Sequence, residues 1–309
     1  MSKASLYTKF NGHLQLLRTE EMASGLTGDY ICPLCLTSYT QQEVNTDTIT
    51  IEHAPQNALG GHEKALTCKE CNNGAGSEID CHLVNLIERL EFKEQVDGSK
   101  KEGSFEVSGQ RIHGSLTYNN GNCELRLPIR SNDTRINLGG LMTTGDEFEF
   151  EGKKIKYNAD CGIAAMLKNA YILLFERIGY PILASAHYDI LRNYINDPYN
   201  NFLPRPLCRI EPSSPINYGV YLFQRDRVKG FVVVYSVIKN TTEKVFVFLP
   251  ALTTSFAQTA GVLRDAENSR AIITRQLPST ADYLSDMDKA KALIHWAKSR
   301  TMTMEELLD

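Results

Sequence analysis

Thr50-Ile51-Glu52-His53-Ala54-Pro55-Gln56-Asn57-Ala58-Leu59-Gly60-Gly61, followed after a short spacer by Cys68-Lys69-Glu70-Cys71-Asn72-Asn73-Gly74-Ala75-Gly76-Ser77, decides how the N-terminal part of this chain folds. Residues leading into it, Thr46–Glu52, alternate as a strand does: Thr48, Thr50 and Glu52 against Ile49 and Ile51. Neighbours on a strand point to opposite faces, so Glu52 and His53 are expected to serve two sides of one site. Gly60-Gly61 permits a tight reversal. Beyond the second cysteine pair, Ile79, Leu83, Leu86, Ile87 and Leu90 fall on one helical stripe. The helix is expected to start near 72–77 and to end before Asp97-Gly98. The order is therefore strand, reversal, cysteine pair, helix.

The chain has eight cysteines, four of them in two Cys-x-x-Cys units, Cys32-Pro33-Leu34-Cys35 and Cys68-Lys69-Glu70-Cys71. Each unit presents two thiolates from a tight turn, and two units complete a tetrahedral zinc shell. Such a closed shell leaves no open position, which makes the ion structural. In small fingers a zinc of this kind supplies roughly 10–16 kcal/mol of apparent binding energy. The competing readings are a redox Cys-x-x-Cys, or two disulfides; a double zinc site of the RING kind needs about eight ligands. Cys81, Cys123, Cys161 and Cys208 are scattered and read as small buried hydrophobes.

Composition sets the outer bounds. In 309 residues, 42% are hydrophobic and 23% charged, as in ordinary globular proteins. There is no apolar run of about 18 residues to span a membrane. The N-terminal Met1-Ser2-Lys3-Ala4-Ser5 leads into polar sequence, not a signal peptide, so a cytoplasmic location is expected. The net charge is −4, and residues 1–102 hold 9 Lys/Arg against 15 Asp/Glu. A polyanion would have to be met by local basic clusters, a bound metal or the C-terminal part.

Residues 98–157 read as β-structure, with Asn119-Asn120-Gly121 turning between Gly114–Tyr118 and Cys123–Leu127. Helices are expected at Gly162–Ile178 and Ile182–Ile195, strands at Tyr218–Gln224, Gly230–Ile238 and Lys244–Leu249, and a last helix from about Asp286 to Arg300. The stripe Ile163, Met166, Ala170, Leu173, Leu174 reads as packed core. Arg205, Arg209, Arg225, Arg227 and Lys229 form the densest basic stretch, which reads at least as well as a solvated face as a phosphate contact. A polar, turn-prone stretch near 95–103 suggests two parts, residues 1–97 and 98–309. The fold class expected is α+β.

Glu52-His53-x-Pro55, Leu59-Gly60-Gly61 and Cys68-x-x-Cys71-Asn72 together resemble the zinc-containing subgroup of the HNH (ββα-metal) endonucleases. The likeness covers about residues 30–85. A softer one covers Leu167-Lys168-x-Ala170-Tyr171-x-Leu173-Leu174-Phe175 and Gly179-Tyr180. The resemblance implies an N-terminal zinc-braced nuclease module followed by a mixed α/β region, cutting DNA, with RNA not excluded. It also implies a phage-defence or mobile-element setting, with a protein partner or homo-oligomer as a further expectation. His53 would be the general base, and Glu52, Asn72 and, as a substitute, Asn73 would hold one catalytic Mg²⁺ or Mn²⁺. Carboxylate and amide oxygens suit such hard ions. Where the family often has an orienting Asn, this chain has Glu63, with Asn57 or His62 as stand-ins. Asp80 reads as a first-turn acid within reach of a metal's water shell, and His82 as a helix-surface residue. The contrasting reading is a zinc-braced nucleic-acid- or protein-binding module without catalysis.

Overall fold

The Ser2 hydroxyl accepts the Ser5 amide and so caps the first helix, α1 (Lys3–Thr19), which buries Leu6, Phe10, His13, Leu14 and Leu17. The computed structural model describes all residues but 24, 108–109, 127–148, 154–156, 213, 267–271 and 309. A short ribbon follows, β1 (Tyr30–Ile31) against β2 (Ser38–Tyr39), with one cysteine pair in its turn. A one-turn helix, α2 (Gln41–Val44), is closed by a reciprocal Thr40–Glu43 capping box.

The expected strand is β3 (Ile49–Ala54), and it pairs antiparallel with β4 (His62–Cys68). Their connection holds a single 3₁₀ turn, Asn57–Leu59, and the glycine pair. Gly60 takes a left-handed φ of 76°. At Gly61 a Cβ would lie 1.4 Å from the Pro55 carbonyl oxygen, so no side chain fits there.

β4 runs directly into α3 (Lys69–Ala75). The helix begins three residues before the expected Asn72 because the Cys68 sulfur caps it, accepting the Cys71 amide. A π-turn, Gly76–Asp80, follows and passes into α4 (Cys81–Lys93).

The longest helix, α5 (Ala159–Ile178), is buried on nearly every side, which marks a core helix. Asn158 caps it, and Gly179, at φ 69°, ends it. The expected second helix, 182–195, is instead two: α6 (Tyr180–Leu183) and α7 (Asp189–Asn196), bridged by a 3₁₀ turn at Ala186–Tyr188. The break has a local cause. The carbonyls of Leu183 and Ser185 both accept from the Arg192 guanidinium, so a side chain takes acceptors that helical amides would have used.

The expected C-terminal strands form the middle of a five-stranded antiparallel sheet, ordered β13-β10-β11-β12-β9. Its members are β9 (Cys208–Pro212), β10 (Gly219–Arg225), β11 (Val228–Ile238), β12 (Thr242–Pro250) and β13 (Ile273–Gln276). Phe223, Val232, Val234, Phe246 and Phe248 pack with Leu263 of α8 (Phe256–Ala266). The Tyr235 hydroxyl, next along β11, donates to Met166 of α5. Burial on both faces explains the unbroken apolar run of β11. Asp286 caps α9 (Met287–Lys298), whose Trp296 is fully buried, and α10 (Met304–Leu308) closes the chain. Among the described residues no helix is long and apolar enough to cross a membrane.

Apart from α4 beyond Leu83, these elements belong to one unit, residues 1–83, 158–238 and 242–309. A second unit comprises 84–157 and 239–241. It holds the sheet β7-β6-β5-β8, with β5 (Lys100–Val107), β6 (Gln110–Asn119), β7 (Asn122–Arg126) and β8 (Glu149–Gly152). Asn120 and Gly121 both have positive φ at the β6–β7 turn, as the Asn-Asn-Gly signal requires. Leu127, the expected end of that hairpin, lies outside the described residues. The change-over expected near 95–103 falls inside this second unit. Mixed helix and sheet throughout make the chain α+β.

Candidate metal centre and the Glu52–His53 hairpin

Four sulfurs converge in the first unit. Cys32 and Cys35 sit in the β1–β2 turn, Cys68 ends β4 and Cys71 lies in the first turn of α3; their sulfurs all lie within 4.8 Å of one another. Thiolates about 2.3 Å from a tetrahedral zinc are about 3.8 Å apart, and Cys35 and Cys68 are separated by 3.8 Å. The Cys68 amide donates to the Cys32 sulfur at 3.4 Å, and the Cys71 amide to Cys68 at 3.4 Å. No cysteine is in a disulfide.

Without a cation these thiols cannot all ionise. Hydrogen bonding with Cys32, first among its causes, pulls Cys68 down to about 6 and Cys35 further, and pushes Cys71 up. Cys32 itself is pushed up, foremost by Cys35. The cluster can hold a zinc ion, and a cation is what would let all four sulfurs be thiolates together.

Buried tyrosines fix the cluster's frame. The Tyr30 hydroxyl donates to the Leu66 carbonyl (2.7 Å) and accepts the Leu66 amide (3.1 Å), tying β1 to β4. Tyr180 donates to the Ile31 carbonyl and accepts its amide. Tyr171 donates to the Pro33 carbonyl at 2.9 Å, inside the first Cys-x-x-Cys.

Across the β3–β4 pair, Glu52 faces Ala65 while His53 faces Glu63, because the register shifts by one residue between them. His53 is half-buried and Glu52 is 2% exposed. Asn72 joins the helix to this strand: its amide nitrogen donates to Thr50 Oγ1 (2.8 Å) and to the Ile51 carbonyl (3.1 Å). Asn73, Asn57 and His62 are exposed. Glu63 is thus the cross-strand neighbour of His53.

Glu52 does not open onto a cavity. Lys168 Nζ, from α5, donates to Glu52 Oε1 at 2.8 Å and to Asp80 Oδ2 at 2.6 Å; Thr67 donates to Glu52 Oε2 at 3.1 Å. Lys168 is fully buried and Asp80 8% exposed. Burial pushes the Asp80 carboxyl up against the pull of Lys168. Burial alone would lower Lys168, but Glu52 and Asp80 outweigh it and hold the ammonium above its ordinary value. Around the triad, Gln56 donates to the Asp80 carbonyl (2.9 Å) and accepts from Asn169 (3.2 Å). A divalent ion expected at Glu52 does not fit this arrangement, since both carboxylate oxygens already have donors and one donor is itself a cation.

Other expected residues have structural partners. The His82 Nδ1 accepts the Asn158 amide at 3.1 Å. Of the basic stretch, Arg205 pairs with Asp160, Arg209 with Glu211, Arg225 donates to the Val262 carbonyl, and Lys229 lies over Trp296; Arg227 is exposed. Lys168 entered the sequence reading only within the softer likeness that begins Leu167-Lys168. The signal that marks it is a lysine which, with Asn169, interrupts an otherwise apolar run from Cys161 to Phe175, where a buried charge persists only when paired.

No protein-family model, no curated protein and no solved structure matches the chain. Its function is therefore argued from its own residues.

Proposed function

We propose that the chain hydrolyses phosphodiester bonds in DNA as a nuclease of the HNH type, with β3, β4 and α3 as the catalytic module and the four-cysteine cluster as its structural zinc site. One observation carries the reading. Glu52 and His53 lie near the end of a strand whose hairpin partner ends on Cys68 and passes without a break into a helix that Asn72 ties back to the first strand.

In this reading His53, at the half-exposed end of β3, takes a proton from water. The resulting hydroxide oxygen attacks phosphorus, the scissile P–O bond breaks and the leaving oxygen is protonated from solvent. Asn72 holds strand and helix at a fixed spacing. No step is assigned to Mg²⁺ or Mn²⁺, because its expected carboxylate is already engaged by Lys168.

That same ion pair favours a second reading, a zinc-braced module that binds nucleic acid or a protein without cutting. Supercoiled plasmid incubated with the chain in Mg²⁺, Mn²⁺ or EDTA separates the two. The nuclease reading expects nicking that His53→Ala slows by about 10²–10⁴-fold. Retarded but uncut plasmid under every metal supports the binding module.

A further inference from the structure

We infer that Lys168 is an internal cation that fills the place of a divalent ion between Glu52 and Asp80, so that this carboxylate pair takes a divalent metal only when the ammonium is removed. The assignment stands on geometry and goes beyond the nuclease reading. The two carboxylates come from separate elements, β3 and the π-turn before α4, and one nitrogen bridges them at 2.8 and 2.6 Å. A metal bridging two carboxylates makes the same connection, with shorter bonds of about 2.0–2.6 Å.

The nitrogen is not on a mobile arm. It is carried at the middle of the core helix α5, with no exposed surface, between the buried Leu167 and Asn169. Leaving the pair would mean burying an unpaired ammonium elsewhere or unpacking the helix.

Two further facts mark the pocket as a cation site. Asp80 Oδ1 is buried without a hydrogen-bond partner, so the pocket has spare ligand capacity. Two carboxylates against one ammonium also leave an excess negative charge, whereas a divalent ion would balance them. A lysine of this kind neutralises the pair incompletely but needs no ion from solution. Thr67 then serves as the second donor that fixes the Glu52 carboxylate.

Mn²⁺ titration of the full zinc-loaded chain, followed by calorimetry and by Mn²⁺ electron paramagnetic resonance, tests this. The wild type is expected to show no Mn²⁺ binding that Glu52→Gln or Asp80→Asn abolishes. Lys168→Ala is expected to gain one Mn²⁺ per chain, bound at least about tenfold more tightly than by the wild type, and to lose it again when combined with Asp80→Asn. Lys168→Met keeps the aliphatic stem and replaces Lys168→Ala if that variant does not fold.

A wild-type Mn²⁺ site that Glu52→Gln abolishes overturns the inference, and this arm needs no lysine variant. A folded, zinc-retaining Lys168 variant with no gain in Mn²⁺ overturns it as well. Plasmid cutting is a separate readout: its absence removes the nuclease reading and leaves the assignment of Lys168 standing.

Discussion

Two clusters of anionic ligands lie in the same unit, and they meet their charge in opposite ways. The four sulfurs of Cys32, Cys35, Cys68 and Cys71 crowd within 4.8 Å. Glu52 and Asp80 enclose an ammonium that the chain itself supplies. The difference follows from where each cluster is built. The cysteines come from two turns close to a helix start, open enough that Cys35 is exposed, so an ion can enter from solution. The carboxylates lie against α5, where only another part of the fold can reach them. One site is therefore expected to depend on an external cation for its stability, and the other to be independent of any.

The largest break in this comparison is removal of the zinc. Cys68→Ser, or a strong chelator, is expected to abolish the fold of the first unit, on the scale of the roughly 10–16 kcal/mol that structural zinc supplies in small fingers. Metal analysis should give one zinc per chain, and circular dichroism should report the loss of structure. A zinc-free Cys68→Ser chain that melts like the wild type would remove the structural role.

Next in size is Lys168→Met without added metal. Two carboxylates then lose the ammonium between them, and breaking a buried pair this way costs about 3–5 kcal/mol. Thermal melts should show the loss. Adding Glu52→Gln to Lys168→Met should recover part of it, whereas zinc content should stay unchanged in both variants.

What could be read in advance divides along the same line. The cysteine cluster was legible because its spacing is local: each Cys-x-x-Cys is one turn, and two turns make one shell. β3, the Gly60-Gly61 reversal and the three central strands of the large sheet followed from alternation and turn residues. The partner of Glu52 was not legible, because Lys168 is 116 residues away in sequence and Asp80 lies 88 residues from Lys168. Periodicity placed that helix in the core without saying which of its residues was charged for a reason. The start of α3 was missed for a chemical cause: Asn72 has the side chain of a cap, but the sulfur of Cys68 does the capping. The break between α6 and α7 depends on Arg192, which no periodic pattern announces.

Smaller effects sharpen the picture around the hairpin. His53→Ala is expected to leave zinc content and melting temperature nearly unchanged, because the half-buried ring sits on an edge of the packed core. A large drop in stability would assign His53 to the fold instead of to chemistry. Asn72→Ala removes two hydrogen bonds onto β3 and leaves the Ile51 carbonyl with one donor fewer. About 1–2 kcal/mol of destabilisation is expected, and faster amide exchange should be confined to β3 and α3.

The smallest effect concerns a third buried titratable group, one given neither a metal nor a salt-bridge partner. His13 is 1% exposed; its Nδ1–H donates to the Leu284 carbonyl at 2.7 Å, and its Nε2 has no partner. Burial, opposed by the Leu284 carbonyl and by Asp282, holds the imidazole below its ordinary value. The folded chain therefore resists protonation that the unfolded chain accepts at about pH 6.5. Below that pH the unfolded state binds more protons, so stability must fall as pH falls. At pH 6 the loss from this residue is at most about 0.8 kcal/mol, with a limiting slope of about 1.4 kcal/mol per pH unit further down. Melting temperatures between pH 5 and 8 should decline on the acid side, and His13→Asn should flatten that decline while lowering stability at every pH. Were the slope to survive the substitution, the neutral imidazole would not be its source, and another titrating group would have to be.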